Sequence, residues 1–106
     1  MSDDNNNSIP DSGDLARKLN LETGKISWQE LQRHFARGVV LVVGRPLDLI
    51  EVAIKLSQDD TPQFERWLAE GLLWRARDED ARQWHAADAE FWSVVVAPWV
   101  LVQAMT

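Results

Sequence analysis

The sequence predicts an α+β domain whose elements follow the order of a winged helix, α-α-β-α-α-β-α-β, with a small antiparallel sheet. Three observations carry this expectation. Ser27-Trp28-Gln29-Glu30 has the spacing of a capping box and opens a run of apolar residues at helical intervals. Two further helical stripes between Asp48 and Gly71 feed an alternating stretch, as a helix-turn-helix feeds a wing. β-Branched residues concentrate in two blocks, at 39–43 and in the closing run FWSVVVAPWVLVQ at 91–103.

Taken in order, residues 1–13 (MSDDNNNSIPDSG) read as a disordered acidic tail, too poor in apolar side chains to offset the entropy of ordering. Residues 14–106 read as a single α+β domain. Leu15, Ala16 and Leu19 recur at helical spacing, so a short helix over 14–20 is expected, capped by Asp14. In the helix after Ser27, Trp28, Leu31 and Phe35 share one face, and Gly38 supplies the left-handed residue that ends it. Residues 39–43, VVLVV, form a strand closed by Gly44-Arg45-Pro46.

Asp48 caps the next helix, which buries Leu49, Val52, Ala53 and Leu56. Thr61-Pro62 starts another by the cap and first-position-proline rule, with Phe64, Trp67, Leu68 and Leu72 as its stripe and Gly71 as its stop. Residues 72–77 alternate in the manner of a strand with one wet face. Asp78 caps a helix over 79–87 that leans inward through Ala81 and Trp84.

The closing run is apolar on both faces if it is extended, and Pro98, which cannot donate to a ladder, divides it in two. The half before Pro98 pairs inside the domain; residues 99–102 either fold over the helices or extend a sheet edge toward a partner. A three-stranded sheet packed on helices covers one face, so the second needs a further cover. The Asp14 helix, the Glu79 helix and a second protein chain are the alternatives. Trp92, Trp99, Val100 and Val102 are accordingly the candidate interface residues, since aromatic side chains and free strand edges favour association.

Composition narrows the function. Net charge is −6, but Asp3, Asp4, Asp11 and Asp14 are uncompensated; without them 13 acids face 11 bases. The basic excess that gives nucleic-acid binders their non-specific affinity is absent. The chain has no cysteine, which removes disulfides, thiolate metal sites and a cysteine nucleophile. No basic start followed by an apolar stretch marks a secretory signal, so a cytoplasmic location is expected. The closing run is shorter than the ~20 apolar residues of a spanning helix, and no membrane association is expected.

Chemistry-bearing patterns are sparse. Glu30 with His34, and His85 with Asp88, each offer two ligands where a catalytic zinc needs three. No nucleophile elbow surrounds Ser27, Ser57 or Ser93, and the scattered glycines form no phosphate-cradling loop. Asp78-Glu79-Asp80 reads as a helix start complementing the macrodipole. Catalytic, metal and cofactor sites are therefore expected to be absent. The helix from Pro62, which would be the recognition helix, exposes Gln63, Glu65, Arg66 and Glu70, a charge that repels phosphate. Arg75, Arg77 and Arg82 are the candidate basic patch.

LNLETGKISWQELQRHFARG at 19–38, LDLIEVA at 47–53 and FWSVVVAPWVLVQ at 91–103 together resemble a family of short bacterial proteins known as a domain of unknown function. The resemblance spans about 15–103 and implies a stand-alone cytoplasmic bacterial protein, with no activity to carry over. The reading that follows is a non-enzymatic module working by protein association, with a homodimer through the C-terminal strand as one form of it. A winged-helix DNA-binding regulator is the alternative.

Overall fold

The computed structural model describes residues 12–105 of the 106-residue chain. Its elements are α1 (Ser12–Glu22), β1 (Gly24–Ser27), α2 (Trp28–Ala36), β2 (Val40–Val43), α3 (Leu49–Ser57), α4 (Thr61–Ala69), β3 (Leu73–Arg75), α5 (Asp78–Ala87), β4 (Glu90–Val96) and β5 (Trp99–Ala104). The fold is α+β, and the expected elements appear in the expected order. Two strands are added: β1, and a second strand from the closing run. The tail expected over 1–13 lies outside the described residues up to residue 11; Ser12 and Gly13 belong to α1.

Helix starts follow the local chemistry. Ser27 Oγ accepts the Glu30 amide at 3.2 Å while the Ser27 amide donates to Glu30 Oε1 at 3.1 Å, closing the expected box. Asp48 Oδ1 accepts the amides of Ile50 and Glu51, at 2.8 and 3.2 Å. Two caps fall one residue earlier than the sequence suggests. Asp60, rather than Thr61, caps α4 by accepting the Gln63 amide. At α5 the Arg77 amide donates back to Asp80 Oδ2 at 2.9 Å, so Asp78 is already helical. The same carboxylate oxygen accepts Trp74 Nε1 at 3.1 Å, tying the helix start to β3.

The sheet is five-stranded and mixed, in the order β1-β4-β5-β2-β3. β4 and β5 form a hairpin across Ala97–Pro98, with Val96 opposite Trp99 and Phe91 opposite Ala104. β5 then lies parallel to β2, Val40 facing Val100 and Val42 facing Val102. β3 and β1 complete the sheet as antiparallel outer strands. The expected all-antiparallel sheet thus gains one parallel pair, and residues 99–102, expected over the helices or at an edge, form its central strand.

The turn at 97–98 also reverses which residues share a face. Val94 stands opposite Leu101 and Val96 opposite Trp99, so even positions of β4 join odd positions of β5. That face packs against α1, α3 and α4, in a core of Leu19, Leu41, Val52, Trp67, Leu73 and Leu101. Phe91, Val100, Val102, Val40 and Val42 face the other way, under Trp28 and Leu31 of α2 and Trp84 of α5. Both apolar faces are therefore covered by the chain's own helices: α1, the Asp14 helix, with α3 and α4 on one side, α2 and the Glu79 helix on the other. The wet face expected of residues 72–77 is wet at Arg75 and Arg77 but not at Leu73, which enters one core while Trp74 packs against the other.

The α2/α5 core is aromatic. Trp84 packs edge-on against Phe91, ring centroids 4.9 Å apart, and Trp28 lies 5.6 Å from both Trp84 and Phe35. Trp28 Nε1 is buried with no hydrogen-bond partner among the described residues.

Leu101 is 0% exposed in the central strand. Leu101→Ala should lower unfolding free energy by about 2–5 kcal/mol, read from urea titration; a loss below about 1 kcal/mol would mean the strand is not a packed core element.

Candidate interaction surface on β4

The sequence places four large apolar side chains of the described residues in solvent: Leu21, Leu68, Trp92 and Val95. Two of these lie on β4, the strand that joins the hairpin to β1. Trp92 is 40% exposed and Val95 58%, on opposite faces of the sheet.

On the α1/α3/α4 face, Trp92 borders an open groove of about 600 Å³ whose other walls include Thr23, Leu47, Ile50 and Gln103. The groove is built on fixed backbone. Gln103 Nε2 donates to the carbonyls of Gly44 and Leu47, at 3.0 and 2.7 Å, holding the loop after β2 to the end of β5. The Gly44 amide donates to Leu72 O at 2.8 Å, and a Cβ on residue 44 would lie only 2.9 Å from that oxygen. Only glycine lets these two backbones meet so closely. Lys25, directly across the ladder, carries its Nζ 5.6 Å from the Trp92 ring centroid, a cation–π contact that steadies the exposed indole.

Along the edge of β4 away from β5, β1 pairs with it only from Glu90 to Ser93. Among the described residues no strand pairs with Val94, Val95 or Val96 on the side away from β5. A second open groove, of about 560 Å³, runs beside this gap between β1, Val95 and the Gln29 and Arg33 side of α2.

The other sequence-derived candidates fall elsewhere. Val100 and Val102 are 4% and 0% exposed, so their side chains belong to the α2/α5 core and present nothing to a partner. Trp99 is half-buried; the Arg75 guanidinium carbon lies 5.2 Å from its ring. Arg77 sits instead over Trp74, at 5.8 Å, and within 3.7 Å of Asp80. Trp74 and Trp99 pack against different cores, so Arg75 and Arg77 occupy opposite sides of the sheet and do not form one basic patch. Arg82 is exposed on α5. α4 exposes Glu65, Arg66 and Glu70 while Trp67 is buried.

His34 and His85 bring no ligand set together: among the described residues no group of three histidine, cysteine, aspartate or glutamate side chains could hold a metal ion. Glu30, the partner of His34 in sequence, is engaged in the Ser27 box. Among the described residues no helix is long and apolar enough to cross a membrane. The unpaired edge of β4 is the feature the sequence did not announce. Its signal was the charge-free VVVAP at 94–98, but the gap depends on where β1 stops.

Geometry and composition together define a small α+β protein in which two of the four exposed large apolar side chains of the described residues lie on one strand, β4. The chain belongs to the family described as Protein of unknown function (DUF2288), which matches residues 14–104. It is similar to PA1075 from Pseudomonas aeruginosa, known from an NMR solution structure: identity is 42%, the match covers 92% of this chain and 91% of that one, and the TM-score is 0.78. No curated protein matches the chain.

Replacing Gln103 with Leu removes the side-chain donor to the Leu47 carbonyl and leaves the Gly44 carbonyl only the Leu47 amide. The expected cost is about 1–3 kcal/mol, seen as a lower thermal midpoint; an unchanged midpoint would show that the loop holds without the amide.

Proposed function

We propose that this is a non-enzymatic bacterial protein that works by associating with protein, and that β4 is its contact strand. The observation that carries the reading is the exposure of Trp92 at a groove whose walls are pinned by the Gln103 side-chain amide donating to two backbone carbonyls. A rigid indole at the rim of a preformed groove is the side chain most often found at the energetic centre of protein interfaces. Fixed walls lower the ordering cost of binding, so such a surface turns more of its buried area into affinity.

The nucleic-acid alternative receives less support. Its recognition helix would be α4, whose exposed Glu65 and Glu70 outnumber Arg66. Of the three candidate arginines, Arg75 packs over Trp99 and Arg77 over Trp74 beside Asp80, while Arg82 lies exposed on α5. Phosphate contacts need free cations on one surface.

Affinity capture from the source cells, comparing the full chain with its Trp92→Ala variant, tests the proposal. A partner held through the indole should be captured at least tenfold less well by the variant, as expected of a hot-spot residue, while the variant's thermal midpoint stays near that of the parent. Equal capture by both proteins would remove Trp92 from any binding role.

A further inference from the structure

The gap in the ladder at Val94–Val96 has properties that a solvent-facing edge ordinarily lacks. Outer strands are a template for unwanted pairing, and proteins blunt them by shortness, charge or cover. Both outer strands here are blunted: β1 has four residues and carries Lys25, β3 has three and carries Arg75. The exposed stretch of β4 is not. It reads Val-Val-Val-Ala-Pro from 94 to 98, has no charge, and leaves Val95, Ala97 and Pro98 in solvent.

We propose that this edge pairs with the same edge of a second copy of the chain, about a two-fold axis at Val95. The inference rests on the reading of β4 as a contact strand and names its occupant. Antiparallel pairing centred on Val95 sets Val94 of each copy against Val96 of the other, and three residues suffice to use the whole gap. The same register brings each hairpin turn at Ala97–Pro98 up to the other copy's Gly24, where β1 begins beside Ser93. Glycine at that point carries no side chain to obstruct the turn, and no atom lies within 4 Å of where its Cβ would be.

Charge permits the self-association. The groove beside the gap holds Glu22 and Glu30 against Lys25 and Arg33, so two copies brought face to face set balanced surfaces together, not like charges. An isologous contact of this kind closes on itself at two subunits, which keeps an apolar edge from growing into a fibre. The sheets of the two copies would then run on into one another through paired β4 strands.

Three paired residues per copy make a small interface, so association on the order of tens of micromolar is expected. Sedimentation equilibrium of the full chain between about 10 µM and 1 mM should show a monomer–dimer equilibrium. Val95→Lys, at an exposed position, places two ammonium groups at the axis; the variant should keep its thermal midpoint and dimerise at least tenfold more weakly. Val100 directs its amide to Val39, so Val95 opposite it turns its own amide to the open edge, and exchange at Val95 of the unmodified chain should slow as concentration rises. A chain that stays monomeric to the upper concentration overturns the inference, as does a dimer that Val95→Lys leaves unchanged. Either result leaves the Trp92 capture experiment standing, so failure of the second-copy pairing is distinguishable from failure of the association reading itself.

Discussion

The parallel pairing of β5 with β2 is the constraint on which the remaining structure depends. It places the most apolar segment of the chain at the centre of the sheet, where Leu101 and Val102 are both 0% exposed although their side chains point to opposite faces. A strand buried on both faces requires a layer of helices on each. α1, α3 and α4 supply one and α2 with α5 the other. Once β5 is central, the hairpin across Ala97–Pro98 forces β4 to its flank, and the four residues of β1 fall short of β4's full length.

The sequence was most informative where structure is local. Ser27 with Glu30, and Asp48 before Leu49, announce helix starts because the donor and acceptor lie within three residues of each other. Gly38 and Gly71 announce helix ends, and both have positive φ. β1 was hidden because Gly24-Lys25-Ile26-Ser27 is too short for an alternation to register, and Ser27 was already accounted for as a cap. The division of the closing run at Pro98 was legible from the missing amide. Its partner was not, since the contact of Val40 with Val100 joins opposite ends of the domain and leaves no trace in either segment alone.

The interface candidates separate by the same logic. Trp92 and Val100 look alike in the run, each an apolar residue on a strand, yet one is 40% exposed and the other 4%. What distinguishes them is the strand order: Val100 is beneath α2, whereas Trp92 lies where neither α1 nor the loop after β2 closes over the sheet. Arg75 and Arg77 look like one patch in sequence, and unbroken alternation would keep them on one face, but β3 ends at Arg75 and Arg77 already caps α5, so each lies over its own tryptophan. Along β4 the exposed side chains of Trp92 and Val95 sit beside surfaces of mixed charge, which suits contact with protein better than with phosphate.

Native-state amide exchange, residue by residue, tests most directly whether the closing run is the centre of the sheet. A strand hydrogen-bonded on both sides and packed on both faces opens only when the whole molecule unfolds. Amides of Val100, Leu101 and Val102 should therefore be among the slowest in the protein, exchanging with the free energy of global unfolding. If they exchange as readily as those of β1 or β3, the run is peripheral and the architecture described for it is wrong.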